Sequence, residues 1–153
     1  MKDIKIAWGN LLNDAEISEF RFHDLRHHFD SKLVMAGVDF KGFNFIGVDL
    51  SGVNFSGANL TDARLDKCNC TDTIFEGAIL NNTVLMSANL TRADFTEANL
   101  SNAQLHFCNF DSATLEKSEL DNADLTGAIL TKTSLNNVKS LRKTNFTNTK
   151  LPP

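Results

Sequence analysis

The side chains able to do chemistry are few: Cys68, Cys70 and Cys108, the isolated His106, and His23 with Arg26 three residues later. Thiolates hold soft metals or act as nucleophiles, imidazole moves protons, and a guanidinium clamps phosphate or carboxylate. Each role needs company. A metal centre requires further ligands at suitable spacing, and neither a second cysteine pair nor an inward histidine stands beside the three cysteines, so they read as small core residues and no metal is expected. His106 has no chemical neighbour and reads as a bystander. No phosphate-cradling glycine loop, paired-carboxylate site or Ser-His-Asp arrangement has the required spacing, and the chain contains no Tyr. The expectation is a protein without catalytic residues or cofactor.

What positions these side chains is a period of five. From Phe40 to Leu135 every fifth residue is Leu or Phe, with Cys70 the one exception. Two places before each stands a small or modest residue, as in Ala58, Ala63, Ala78, Ala88, Ala93 and Ala98, with Phe43 the large exception. The other positions are mostly Asn, Asp, Ser, Thr, Gly or charged. Five suits neither a helical stripe, which returns at about 3.6, nor a straight strand, which alternates at 2. Within each unit the small residue and the Leu or Phe are two apart, so extended backbone points both to one side. The next two positions must then turn the chain. Gly42, Gly47, Gly52, Gly57, Gly77 and Gly127 fall at the second of them, where positive φ is useful. Such units close by winding into a solenoid whose coils stack through backbone hydrogen bonds.

Units such as Ala58-Asn59-Leu60-Thr61-Asp62 and Ala98-Asn99-Leu100-Ser101-Asn102 resemble the pentapeptide-repeat family, over roughly two thirds of the chain. The resemblance implies an all-β solenoid, a right-handed quadrilateral β-helix with four pentapeptides per coil. Residues twenty apart then stack at the sheet spacing of about 4.8 Å, and five coils make a rod about 24 Å long. One inward column would hold Phe55, Phe75, Phe95, Leu115 and Leu135. Cys68 and Cys108 would lie two coils, about 10 Å, apart, which is too far for a disulfide. The face built on Phe45, Leu65, Leu85, Leu105 and Leu125 would display Ile46, Val84, Met86, His106 and Phe107 outward. That is the least polar face and the expected contact surface.

Residues 1–37 lack the repeat and are expected to form an N-terminal α-helical cap. Ile4, Ile6 and Trp8 suit a short strand, and Asn13 or Asp14 suits the start of a short helix through Glu19. Leu25, Phe29, Leu33 and Ala36 recur at helical spacing, and Gly37 follows as a good helix stop. The run from Phe20 to Asp39 also resembles the His-x-x-Arg box of tyrosine recombinases, the phage integrases. That resemblance implies that His23 and Arg26 match residues which help activate a scissile phosphate. In that family a Tyr nucleophile follows, whereas here repeats follow and no Tyr exists, so the motif is expected to be vestigial. Its expected service is to cover the open edge of the first coil.

Charge runs along the chain in three blocks. Residues 1–37 carry −1, residues 38–135 carry −7 and residues 136–153 carry +4. An acidic rod with a basic end is not the concentrated basic face of a nucleic-acid binder, and DNA binding is not expected. No apolar run is long enough for a membrane span and the first residues do not lead into a signal-peptide core, which sets a cytoplasmic expectation. The five-residue register slips by one between Asn136 and Ser140, after which residues 136–153 read as a final partial coil around Leu141, Phe146 and Leu151. The function expected is a non-catalytic interaction or scaffold module that meets an unidentified protein or a second copy of itself as a homodimer. The alternative implied by the resemblance is a DNA-shaped gyrase- or topoisomerase-binding protein that protects against quinolones. A recombinase remnant without activity is the remote third.

Overall fold

The computed structural model describes residues 34–153. The expected cap and the His23–Arg26 motif lie outside these residues, apart from the last four positions of the 1–37 segment.

Each five-residue unit is short extended backbone followed by a tight turn. The amide of Val48 donates to the carbonyl of Phe45 at 2.9 Å and that of Val53 to Leu50 at 3.0 Å, closing four-residue turns. In all of these turns but the one at Asn137 the second central residue has positive φ, as at Gly47 (70°), Gly52 (69°) and Asp62 (60°), the sign pattern of a type II turn. Glycine takes this conformation freely, but Lys67, Arg92, Glu97 and Phe107 hold it too. Four turns bring the chain round to its starting azimuth.

Successive coils join by parallel bridges between residues twenty apart: Asp39 with Asn59, Asn59 with Ile79, Ile79 with Asn99. The bonding is reciprocal. Asn59 donates its amide to the carbonyl of Val38 at 3.0 Å and accepts at its own carbonyl from Phe40 at 2.7 Å. Residues 34–53, 54–73, 74–93, 94–113, 114–133 and 134–153 therefore make coils 1 to 6 of a four-sided parallel β-helix.

The inward columns are closed to solvent. Phe45, Leu50, Phe55, Leu60, Leu65, Phe75, Phe95 and Leu100 are fully buried. In the column predicted to hold Phe55, Phe75 and Phe95, ring centroids stand 5.6 Å and 4.8 Å apart with planes within 4° and 12° of parallel. Coil stacking sets that face-to-face geometry, since each ring must repeat the pose of the one above. Between different columns the rings meet otherwise: Phe40 and Phe45 of coil 1 and Phe55 of coil 2 pack edge to face.

The small position two before each Leu or Phe also accepts Thr, Ser and Cys, for a reason visible in the bonding. The carbonyl of Leu50 accepts from the amide of Val53 and, on its other lone pair, from the hydroxyl of Thr73 one coil on at 2.8 Å. Thr83 does the same for Leu60 and Thr133 for Phe110. Cys68 and Cys108 take this place with their thiols, on Phe45 and Leu85.

The expected register slip is a β-bulge. Where Asn59 alone both donates to one residue and accepts from another in the preceding coil, here Lys139 donates to Ser118 while Ser140 accepts from Leu120, so two residues face Glu119. Asn137 alone among the corners from 37 to 148 leaves the positive-φ region. The bulge is fastened by Asp121, which accepts hydrogen bonds from the Ser140 hydroxyl and from the amide and guanidinium of Arg142.

Two predictions follow from this packing. Phe95→Asp puts an unpartnered charge into a dry column and should destabilise by at least about 4 kcal/mol, read as a fall in the denaturant midpoint. The hydrogen bonds from Ser140 and Arg142 pull the Asp121 carboxyl down to about 2. A depressed carboxylate stabilises the fold above its unfolded value near 3.8 and loses that contribution as pH falls through the folded value. Protection of the Arg142 amide, its exchange rate taken relative to the open chain at the same pH, should therefore fall between pH 4 and pH 2 in the parent and lack that transition in Asp121→Asn.

Candidate functional site

Outward side chains on each side of the rod come from three positions per unit: the one before the central Leu or Phe and the two after it. On the side built on Phe45, Leu65, Leu85, Leu105 and Leu125, the first position stacks Asn44, Arg64, Val84, Gln104 and Asp124. The corner beyond it carries Ile46, Asp66, Met86, His106 and Thr126, then Gly47, Lys67, Ser87, Phe107 and Gly127.

The five residues expected to form a contact surface do share this side, but they are unevenly placed. Phe107 is 64% exposed and Ile46 41%, whereas Val84, Met86 and His106 are half-buried. Val84, Met86, His106 and Phe107 occupy adjacent coils. Ile46 stands two coils away from Met86, about 10 Å along the axis, beyond the ion pair of Arg64 with Asp66. The surface is thus one cluster centred on Met86 and Phe107 plus a separate isoleucine.

Two contacts fix that cluster to the next coil. The His106 Nε2 lies 3.1 Å from the Asp124 carboxylate, while its Nδ1 is buried without a hydrogen-bond partner. Phe107 has φ of 58°, a conformation that costs a bulky residue on the order of 1 kcal/mol or more. Its ring lies over Gly127, with Cδ1 and Cε1 each 2.5 Å from where a β-carbon on that glycine would stand. Sequence reasoning missed this pair, although a Phe at a corner with a Gly twenty residues later was there to be read. It also passed over Ile79, which is 45% exposed on a different side, as a contact residue.

The remaining chemistry-bearing groups are already occupied. Cys70 shares its thiol proton with Cys68, which holds the Cys68 thiol below its ordinary value and, with burial, pushes Cys70 well above. Burial pushes Cys108 up to about 12. All three are buried in the core and free of disulfides. Among the described residues no group of three potential ligands converges on a metal.

Five of the thirteen carboxylates on residues 38–135 hold a cation of the neighbouring coil. Asp72 pairs with Arg92, Glu97 with Lys117, Asp111 with Lys132, Glu119 with Lys139 and Asp121 with Arg142. In every one of these the acid precedes its cation by one coil. Glu97, Lys117, Glu119 and Lys139, with Asn99 and Asn137, also line a shallow open depression beside the bulge. Its walls are these ion pairs, which leaves it without a net charge to recruit a ligand.

A family model described as the pentapeptide repeat region matches residues 48–125, just over half of the chain. The chain belongs to the pentapeptide-repeat family. Similar solved structures are a pentapeptide-repeat protein of the Arabidopsis thaliana thylakoid lumen, AT2G44920, and Rfr23 of the cyanobacterium Cyanothece 51142. The first is 28% identical, covering 67% of this chain and 68% of that one with a TM-score of 0.43; the second is 22% identical, covering 83% and 91% with 0.44. QnrB1, a plasmid-mediated fluoroquinolone resistance protein, is 21% identical over 78% of this chain and 89% of its own, with a TM-score of 0.38.

A separate likeness is to the integrase of Salmonella phage P22, 56% identical over 36 residues. The match takes in 24% of this chain and only 9% of the integrase, so this pentapeptide-repeat chain spans less than a tenth of that relative. It agrees with the integrase resemblance of the stretch around His23 and Arg26. Among the described residues no helix is long and apolar enough to cross a membrane.

Proposed function

We propose that this pentapeptide-repeat chain is a non-catalytic protein-interaction module, acting in the cytoplasm, whose contact surface is the side bearing Ile46, Val84, Met86, His106 and Phe107. The observation that carries the reading is the cluster of Met86 and the exposed Phe107 on a backbone fixed by two ladders of hydrogen bonds. Aromatic and methionine side chains are enriched at interfaces, and a rigid surface loses little conformational freedom on binding. The three parts expected of the chain divide the work with one shift of boundary. The 1–37 segment covers the first coil only up to residue 33, because Val34, Met35 and Gly37 already pair with coil 2 as repeat residues and not as a helix end. The rod follows through residue 135, and residues 136–153 close it with a basic final coil. In this reading His23 and Arg26 are vestigial.

Topoisomerase binding is the second reading, favoured by the charge of −7 on residues 38–135. The coil-to-coil ion pairs weigh against it, because a carboxylate holding its own cation presents less field to a DNA-binding surface.

Replacing Met86 and Phe107 together by Ser should leave the β-rich circular dichroism spectrum in place and weaken association by about 2 kcal/mol or more. Solution mass of the parent at low and high salt decides between this surface and the basic coil. Association that survives the double replacement and falls steeply with salt would belong to Lys139, Arg142, Lys143 and Lys150 instead. Deleting residues 1–33 tests the cap separately: the truncated rod should oligomerise or aggregate, and a monomer of unchanged stability would remove that role.

A further inference from the structure

Every coil but the last hands its axial hydrogen bonds on to the next. In coil 5 the amides of Leu120, Asn122, Leu125, Gly127 and Leu130 donate to carbonyls of coil 6, and the carbonyls of Ala123 and Ala128 accept from the amides of Asn145 and Lys150. The ladder is therefore polar, since each unit points two amide donors and one carbonyl acceptor toward the later coils. In coil 6 the corresponding amides of Leu141, Lys143, Phe146, Asn148 and Leu151 have no acceptor among the described residues. The repeat stops here for a reason in the sequence. Pro153 stands at the second corner position after Leu151, where φ must be positive, but proline fixes φ at about −65° and has no N–H to donate.

The inward columns open at the same place. Leu120, Leu125 and Leu130 are closed to solvent, whereas Leu141 is 37% and Leu151 52% exposed, with Phe146 half-buried between them. Charge adds a third feature. Residues 136–153 hold Lys139, Arg142, Lys143 and Lys150 and no acid. Lys139 is paired with Glu119 and Arg142 with Asp121, while Lys143 and Lys150 are exposed and have no carboxylate beside them among the described residues. Unpaired amide donors and free ammonium groups carry the same sign, so a molecule whose residues 38–135 bear −7 ends in an electropositive edge.

We propose that this edge of coil 6 docks an acidic, extended polypeptide segment of a partner protein, which adds to the rod as its next strand. The excess of donors calls for backbone carbonyls, the open Leu141, Phe146 and Leu151 call for apolar side chains, and Lys143 and Lys150 select carboxylates between them. The ladder already holds such pairs at coil spacing, as Glu97 with Lys117 at 3.1 Å. A nucleic-acid strand meets the charge but brings no apolar side chain for the leucines. A second copy of this chain, docked end to end, sets one donor-rich edge against another and lysine against lysine. The edge shares no residue with the side bearing Met86 and Phe107, so the two readings fail separately.

The probe is a synthetic peptide of three Ala-Asp-Leu-Asp-Gly units, which keeps the period of the coil and flanks each leucine with acids. Its controls are the same peptide with Lys for Asp, polyglutamate of equal charge and a single-stranded DNA of equal charge. The full chain should bind the acidic peptide at least about tenfold more tightly than any control, and less tightly as salt rises. On binding, hydrogen-exchange protection should appear at the amides of Leu141, Lys143, Phe146 and Asn148. Lys143→Glu with Lys150→Glu should lower the affinity at least about tenfold and leave the denaturant midpoint in place, whereas Met86→Ser with Phe107→Ser should leave the affinity unchanged. Absence of binding at millimolar peptide, equal binding of polyglutamate or DNA, no new protection at the four amides, or an affinity indifferent to the lysine replacements would each overturn the proposal.

Discussion

The constraint on which the rod depends is the corner. Each unit must place one residue at positive φ so that the next can start a new side, and the ladder between coils exists only if every corner turns by the same amount. That is why corners as different as Gly47, Asp62, Arg92 and Phe107 converge on φ between 56° and 70°. The intrinsic preference of L-residues opposes most of these choices. What offsets the opposition is cooperation along the axis: the corner amide of Asp62 donates to Asn81 and that of Arg92 to Asp111, so leaving the conformation breaks a bond to the next coil. Asn137, beside the bulge, is the one corner between 37 and 148 outside the positive-φ region.

Polar side chains complete what the backbone leaves open. Asp39, Asp49, Asn59 and Asn69 each accept from the amide two residues on, which satisfies a donor at the first corner position. Their amide groups then reach across coils, as Asn59 does to Asp39 and Asn69 to Asp49. Thr71 and Thr91 extend this to a run in which each Thr donates to the Asn of its own unit and accepts from the Asn of the next coil. Inside, Thr73, Thr83 and Thr133 satisfy the second lone pair of turn carbonyls that no water can reach. The polar residues of this repeat are therefore structural before they are functional.

The fold was legible because its period is short and its units are nearly independent: the inward columns, the outward columns, the glycine corners and the one-residue slip could all be counted along the sequence. Family likeness supplied the number of sides, which a period of five by itself does not determine. The candidate surface was legible only as a list of outward residues. Burial of Val84 and Met86 and the separation of Ile46 depend on neighbours in other coils, above all Arg64 and Asp66, and those distances emerge only when the coils are stacked. The seat of Phe107 was hidden for a different reason: positive φ and the glycine had one sufficient explanation each, and the pairing required knowing that the ring turns toward the next coil.

A scaffold this regular cannot carry identity in its backbone or in its core. The inward Leu and Phe columns repeat from coil to coil, and five of the thirteen carboxylates on residues 38–135 are held in coil-to-coil pairs such as Glu97 with Lys117. Recognition must then reside in departures from the repeat. There are few of them: the bulge fastened by Asp121, the cluster of Val84, Met86, His106 and Phe107, and the glycine that receives the Phe107 ring. The last two sit on one side, and His106 and Phe107 join them to adjacent coils. What sets this side apart is thus carried by side-chain contacts between coils, His106 with Asp124 and the Phe107 ring over Gly127, and not by the backbone ladder or the inward columns that every side shares.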